Sequence, residues 1–488
     1  MTAVQIEQRK IPPQLEYGSE TEIFSILQPV VCTPQNGISS VTMDNVGGTA
    51  IRFLIPADCY NLSKSRLFAT LNITADSADD SWIYADCWAM FRQIQLLSQT
   101  NYFLVDINNL ALYTQLTARY DTPFLDILSK PSLYNVGGAA GTSGKGPAVT
   151  FPVNFGFLAP FVYQDNTCGT GATICNFTNI SPAAGSVNLQ QSNSYSPQNL
   201  IHMATTATFT ITIDAELNGI KNCLFDYDKV LFYPQQLQLI LWLNAYGNIG
   251  WNATSGNTPS ATPIAYEGGT AGATPPVFSN IQLLLAQEQN AVVRKMLQDK
   301  VYGGGMKVEI DYVWQQSTPS SGTAQNTTLI LNNGYGSRLR KIYHTITQTT
   351  GANNVLNHSN MPTSLTANSI TNTYQVTLQN QVEVQQPINC VNNYNLDYQV
   401  NSQKFKGSLI SSAIDYYYNW CHISTYDGLK TWERDDGSKV RGLPLGADPI
   451  LYQFLGSNMV SQTTTHYDFF VCKRVLSLLP TGISISNE

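Results

Sequence analysis

The sequence predicts a mainly β fold, organised as two unequal packed sandwiches with long loops and a few short helices. Three observations carry that expectation. Period-two apolar segments recur along most of the 488 residues. The composition favours pleated sheets, with 26 Tyr and 19 Phe. Charge is sparse, with 26 Lys+Arg against 33 Asp+Glu and a formal net charge of −7. Such a surface suits a protein that meets copies of itself better than an enzyme with a charged cleft.

Residues 1–45 read as an N-terminal arm. Pro12 and Pro13 break regular structure early, and Ile23, Phe24, Ile26 and Leu27 are placed to dock on a neighbouring surface. The opening stretch MTAVQIEQRKIPPQ has no apolar core, so no signal peptide is expected. No uninterrupted apolar run approaches 18 residues, so no membrane-spanning helix is expected.

A first sandwich is expected over 46–318. TAIRFLIP from Thr49 is extended, and SRLFATLNIT alternates around Leu67, Ala69, Leu71 and Ile73. CWAMFRQIQLLSQTNYFLVDI, at 87–107, holds two apolar runs about the polar break Ser98–Asn101, which predicts a hairpin. NNLALYTQLTARY has helical spacing at Leu110, Tyr113, Leu116 and Tyr120, as for a short helix laid over a sheet end. Residues 133–148 and 179–200 are loop-like, rich in Gly, Ser, Asn and Pro. Phe209, Ile211 and Ile213 alternate with polar residues, and LQLILWLN places Leu237, Leu239, Leu241 and Leu243 on one face of a strand covered on both sides. Residues 245–280 read as a surface excursion anchored by Trp251, Tyr266 and Phe278, and AQEQNAVVRKMLQDK, at 286–300, as an amphipathic helix. MKVEIDYVW, after Gly303-Gly304-Gly305, is the clearest strand in the chain.

STPSSGTAQN, at 317–326, is the expected domain boundary, with a second sandwich over 319–488. Its principal strands are SRLRKIYHTI, TYQVTLQNQVEV and the late YDFFVCKRVLSLL. SLISSAIDYYY, at 408–418, is expected as a helix and 436–448 as a long crossing.

Motifs that could carry chemistry are few. The five histidines, His202, His344, His358, His422 and His466, have neither zinc-finger nor HExxH spacing, and His344 is expected as a structural strand residue. Cys421 and His422 are adjacent, but neighbours in a strand point to opposite faces, which argues against a nucleophilic pair. The run around Lys145 lacks the spacing of a phosphate-binding loop. Glu433, Asp435 and Asp436, like Asp76, Asp79 and Asp80, read as acidic turns in preference to cation sites. Arg338, Arg340 and Lys341 form the richest basic cluster and read as a solvated or intersubunit face, so strong direct nucleic-acid binding is not expected. Tyr416, Tyr417, Tyr418 and Trp420 suit packing or an oligomer seam over a sugar platform. Of nine cysteines, Cys59, Cys87, Cys223, Cys390 and Cys472 sit as small hydrophobes, while Cys168 and Cys175 flank a loop they could bridge. No catalytic, cofactor or metal residue is assigned, and no enzyme activity is expected.

The ordered segments resemble the double jelly-roll major capsid proteins of the adenovirus and tailless membrane-containing phage lineage. FLIPADCYNLSKSRLFATLNI at 53–73 is similar to that family's early strand pair, and ADCWAMFRQIQLLSQTNYFL at 85–104 to the hairpin that follows it. The nearest likeness is 209–243, where strand, short helical segment, Phe/Tyr-rich element and apolar strand follow in the family's order. The family's Ile-Pro-Leu step is replaced here by Ile213-Asp214-Ala215. The resemblance implies two tandem jelly-roll barrels and a homotrimer with pseudo-hexagonal outline. It also implies neighbouring capsomers in an icosahedral virion shell, penton or minor capsid proteins as partners, and an internal membrane as a possible neighbour. The alternative reading is a viral spike or receptor-binding β protein that recognises host glycans. A β-sandwich glycoside hydrolase stands third, since it requires two carboxyl groups about 5–9.5 Å apart.

Overall fold

The computed structural model describes residues 25–44, 46–74, 80–84, 88–122, 133–137, 200–203, 208–248, 250–253, 275–322, 324–331, 338–348, 373–378, 381–382, 387–389, 394–405, 420–426, 431–433, 439–445, 450–457 and 464–486. Two sets of eight strands account for its main sheets. In the first set, β1 is Leu27–Cys32, β2 Ala50–Ile55, β3 Cys59–Thr74, β4 Phe91–Ser98, β5 Phe103–Asn108, β6 Thr208–Glu216, β7 Leu237–Leu243 and β8 Val277–Glu288. In the second, β9 is Met306–Ser320, β10 Gln325–Leu331, β11 Arg338–Gln348, β12 Thr373–Leu378, β13 Gln381–Val382, β14 His422–Thr425, β15 Ile450–Ser457 and β16 Thr464–Leu479.

The pairing is antiparallel throughout and the two sets repeat one another. The first set forms sheets ordered β1-β8-β3-β6 and β2-β7-β4-β5, and the second β9-β16-β11-β14 and β10-β15-β12-β13. Adding eight to every strand of the first barrel gives the second. Each barrel also carries one helix in the same connection, after its fifth strand: α1 (Leu110–Tyr120) in the first barrel, and a counterpart at Tyr394–Ser402 in the second. Between the barrels lies α2 (Ala291–Tyr302), so the counterpart is α3.

Alternation fills both interiors. Leu67, Ala69 and Leu71 of β3 face Leu237, Leu239 and Leu241 of β7 across the first sandwich, and all are buried. Ile342 and Ile346 of β11, Phe470 and Cys472 of β16, and Tyr452 and Phe454 of β15 do the same in the second. The hairpin read from 87–107 is present: the Asn101 backbone N–H donates to the Ser98 carbonyl at 2.9 Å, and Asn101 takes φ 62°, a conformation that Asn tolerates. The helix expected around Leu110–Tyr120 is α1, and the late strand YDFFVCKRVLSLL lies in β16.

Several boundaries differ from those the sequence predicts. The expected division at 318/319 falls inside β9, which pairs with β16 without interruption from Met306↔Leu478 to Ser320↔Thr464. The polar stretch STPSSGTAQN is the end of β9, a turn and the start of β10, and the sheets change at the α2 segment and Gly303–Gly305 instead. The arm expected over 1–45 enters the first barrel early, since β1 and the short strand Ser40–Thr42 both pair with β8. The excursion expected over 245–280 and the helix expected from 286 meet in β8. Leu283 and Leu285 of this strand are buried, but Leu284 between them masks the period of two. Asn290 then caps α2, its side chain accepting from the Val292 backbone N–H at 2.9 Å. TYQVTLQNQVEV divides into β12 and β13, and α3 has no counterpart in the sequence pattern. The 408–418 helix lies outside the described residues.

Gly305 ends the connection between barrels with φ +86°, and a Cβ there would come within 2.6 Å of the Leu479 side chain. Gly305→Ala is expected to cost more than about 1 kcal/mol, read as a lower midpoint in thermal or denaturant unfolding.

Candidate functional site: the barrel junction and the polar core behind it

The second barrel's β9-β16-β11-β14 sheet has two buried faces. Ile342, His344 and Phe470 look into the barrel, while Lys341, Tyr343, Phe469 and Val471 look outward and are buried all the same. What covers them is α1 of the first barrel. Tyr113 places its ring 5.1 Å from Phe469 and meets Tyr343 edge-on at 6.4 Å, while Tyr120 packs 4.8 Å from Phe405. Every α1 side chain described is buried except Ala118.

The polar centre of the junction is Asp121, the residue that ends α1. Lys341 Nζ and the Tyr343 hydroxyl, both from β11, donate to its carboxylate. The Asn222 amide donates to the same group at 2.9 Å. Asn222 sits in the left-handed region at φ 56°, in the connection that leads from β6 towards β7. The side chains of Lys341 and Asp121 are only 4% and 6% exposed. The desolvation of two charges is offset only by tight geometry and added hydrogen bonds, and Tyr343 and Asn222 supply those bonds. A second contact lies towards the end of the chain, where Thr100 Oγ1 donates to the Ile483 carbonyl at 3.3 Å.

Behind this sheet the second barrel encloses polar side chains. Asp468 Oδ1 lies 2.6 Å from His344 Nδ1, and His344 Nε2 lies 3.2 Å from His466 Nδ1. A carboxylate only accepts, so Nδ1 of His344 carries a proton. His344 Nε2 and His466 Nδ1 share a single hydrogen bond, and His466 Nε2 has no hydrogen-bond partner among the described residues. The His344 ring stacks 4.3 Å from Phe454. A neighbouring group centres on Asp397 of α3, which accepts from the Tyr374 hydroxyl, from Trp420 Nε1 at 3.0 Å and from the Asn401 amide at 2.8 Å. This cluster orders α3 against its barrel. His344, His466, Asp468 and Trp420 are all fully buried or nearly so.

The candidates that the sequence offers separate in space. Lys341 and Arg340 do not form a free basic patch: Arg340 pairs with Asp311, which also takes Lys473 at 3.0 Å. His344, expected as a strand residue, lies in β11 with its side chain buried. Cys421 and His422 are both buried, with His422 Nδ1 3.4 Å from the Tyr374 hydroxyl. Trp420 is core. Glu433 and Asp80 lie in short strands, whereas Asp76, Asp79, Asp435, Asp436, Lys145, Cys87, Cys168, Cys175, Cys390, His358 and Tyr416–Tyr418 lie outside the described residues. Among the described residues no group of three or more His, Cys, Asp or Glu is arranged to hold a metal ion. Cys59, Cys223 and Cys472 are buried, as read from sequence, and burial pushes the Cys59 and Cys472 thiols up to about 12. Sequence reasoning misses Asp121, whose only signal is its place just after a helical pattern.

No family model and no curated protein sequence matches the chain. Solved structures do. The mavirus major capsid protein superposes with a TM-score of 0.50 at 10% identity, over 98% of this chain and 95% of that one. PBCV-1 VP54, in a crystal structure fitted into a cryo-EM reconstruction of the virophage Sputnik, gives 0.50 at 8% identity, over 95% and 97%. The chain is a double jelly roll. The likeness extends over nearly the whole length of each protein, so both jelly rolls are included. The expected class, mainly β with two tandem jelly-roll barrels, long loops and a few short helices, is the fold observed.

Two measurements check the junction and the core of this double jelly roll. Lys341→Met, which strands Asp121 in a buried site, is expected to cost about 3–5 kcal/mol in denaturant unfolding. The double variant Lys341→Met with Asp121→Leu should recover part of that loss. Burial, aided by the adjacent His344, drives the His466 pKa from 6.5 down to about 2. The unfolded chain therefore binds a proton that the native state refuses. The stability held by neutral His466 is complete above pH 6.5 and declines as pH falls from there towards 2. The slope is about 1.4 kcal/mol per pH unit, and His466→Leu should flatten it in unfolding curves taken from pH 7 to pH 4.

Proposed function

We propose that this chain is a major capsid protein, which forms pseudo-hexagonal trimeric capsomers of an icosahedral virion shell. The observation that carries the reading is the duplicated eight-strand order in one chain, with the copies locked side by side through a buried junction. Two barrels per chain give six in a trimer, so three identical chains present an almost sixfold outline to their neighbours. A near-hexagonal unit tiles a surface with many weak lateral contacts, which sum through multivalency. The full-length likeness to the mavirus major capsid protein supports the same reading.

The role is structural, not catalytic. The polar groups that sequence offers for chemistry serve packing: His344, His466 and Asp468 lie inside a barrel, and Lys341 is held by Asp121. A six-sided unit cannot fill a fivefold vertex, so penton or minor capsid proteins complete the shell. The net charge of −7 and the pairing of Arg340 and Lys341 with carboxylates favour leaving the genome to other components, an internal membrane among them.

Electron micrographs of the purified protein are expected to show pseudo-hexagonal trimers, and particles containing it a closed lattice of them. Slender isolated trimers that bind glycans and never enter a shell would overturn the proposal.

A further inference from the structure

The two counterpart helices are seated by different forces. On α1 every described side chain except Ala118 is buried, most of them apolar. On α3 the fully buried side chains among those described are Asp397 and Asn401, both polar. Tyr398, Val400 and Ser402 are half-buried, and Leu396 and Gln399 are exposed. Beyond the bonds of Asp397 described above, Asn401 Oδ1 accepts from the Ile423 backbone N–H at 3.3 Å. Polar contacts therefore hold α3 more than apolar burial does, and a helix held this way has little apolar area to lose on leaving.

Those polar contacts lead to the histidines. Trp420, whose indole donates to Asp397, lies edge-on to His344 at 6.0 Å, and His344 lies 5.3 Å from His466. Phe454 joins the group. Its ring is 4.3 Å from His344, 5.4 Å from His466 and 5.5 Å from Tyr374, whose hydroxyl also donates to Asp397. His466 and the seat of α3 thus belong to one packed cluster.

This cluster has no place for a histidinium at 466. A histidinium donates from both ring nitrogens. Nδ1 of His466 shares its bond with His344, and Nε2 meets no acceptor among the described residues. The titratable groups around it are His344 on β11, Asp468 on its own strand, His422 on β14, Asp397 on α3, and the hydroxyls of Tyr374 on β12 and Tyr452 on β15. β9 and β10 bring Thr318 and Thr327. The Asp468 carboxylate is engaged with Nδ1 of His344, not with His466.

We propose that the second barrel carries an acid-operated latch: neutral His466 keeps the cluster closed and α3 seated, and a proton taken up at His466 is accommodated by α3 leaving the barrel. The latch needs no second chain, so it stands apart from the capsomer reading. Its movement reaches the barrel junction, because Phe405, just beyond α3, packs 6.3 Å from Tyr398 of α3 and 4.8 Å from Tyr120 of α1. Once α3 is out, His466 titrates at its ordinary 6.5 instead of at about 2. Closure is therefore complete above pH 6.5 and weakens as pH falls below it. The equilibrium for opening α3 rises about 25-fold from pH 7 to pH 5.

Hydrogen exchange of the full chain, followed by mass spectrometry at pH 7 and pH 5 and divided by the intrinsic exchange rate at each pH, tests the latch. Peptides over α3 are expected to open about 25-fold more at pH 5, while peptides over β16 and β3 keep their protection. His466→Asn, which can still bond His344 through its amide, should leave α3 equally protected at both pH values. Asp397→Ala should open α3 already at pH 7. An α3 that opens equally at both pH values in the wild type, a β16 that loses protection together with α3, or a rise that persists in His466→Asn would each overturn the latch. Where His466→Asn loses its melting transition, His466→Leu takes its place under the same criteria.

Discussion

The position of one barrel against the other depends on a single buried carboxylate. Asp121 ends a helix of the first barrel but finds its cation and a hydroxyl on a strand of the second. Neither charge can be left alone at such low exposure, so the barrels cannot slide without stranding one of them. The aromatic contacts of Tyr113 and Tyr120 add area, but area is tolerant of small shifts; the short polar contacts are not. A junction of this kind fixes orientation as well as adhesion.

The two interiors solve the packing problem differently. The first barrel is filled mainly by aliphatic and aromatic side chains drawn from alternating strands. The second admits histidine, aspartate, asparagine and tryptophan, connected through hydrogen bonds. Polar networks of this type are costly when incomplete and specific when satisfied. In the second barrel the network also binds α3, so the placement of a surface helix is decided from within the core.

Much of the fold is legible in the chain because alternation is a local property. Val308, Ile310 and Tyr312 declare their strand without help, as do Leu237, Leu239 and Leu241. The strand β8 is concealed because its outward Leu284 is apolar and breaks the alternation. The boundary between barrels is misplaced from sequence for a related reason. Ser317, Pro319 and Ser320 have loop-like composition, but they extend β9 along its partner, where pairing with β16 outweighs propensity. Asp121 is invisible because its cation lies more than two hundred residues away, and no local pattern reports such a meeting. The histidines read as structural from the absence of any ligand spacing, and the depth of His344 gives that reading its physical ground.

The deeply placed cysteines have a consequence of their own. Cys59, Cys223 and Cys472 belong to different elements, and their sulfur atoms are held as thiols by the apolar matter around them. Only the thiolate attacks a disulfide or an oxidant efficiently. These three positions are therefore indifferent to redox poise, and the covalent structure around them is the same in reducing cytosol and in oxidising surroundings. The barrels they belong to keep their packing across that change without any chemical adjustment at these sites.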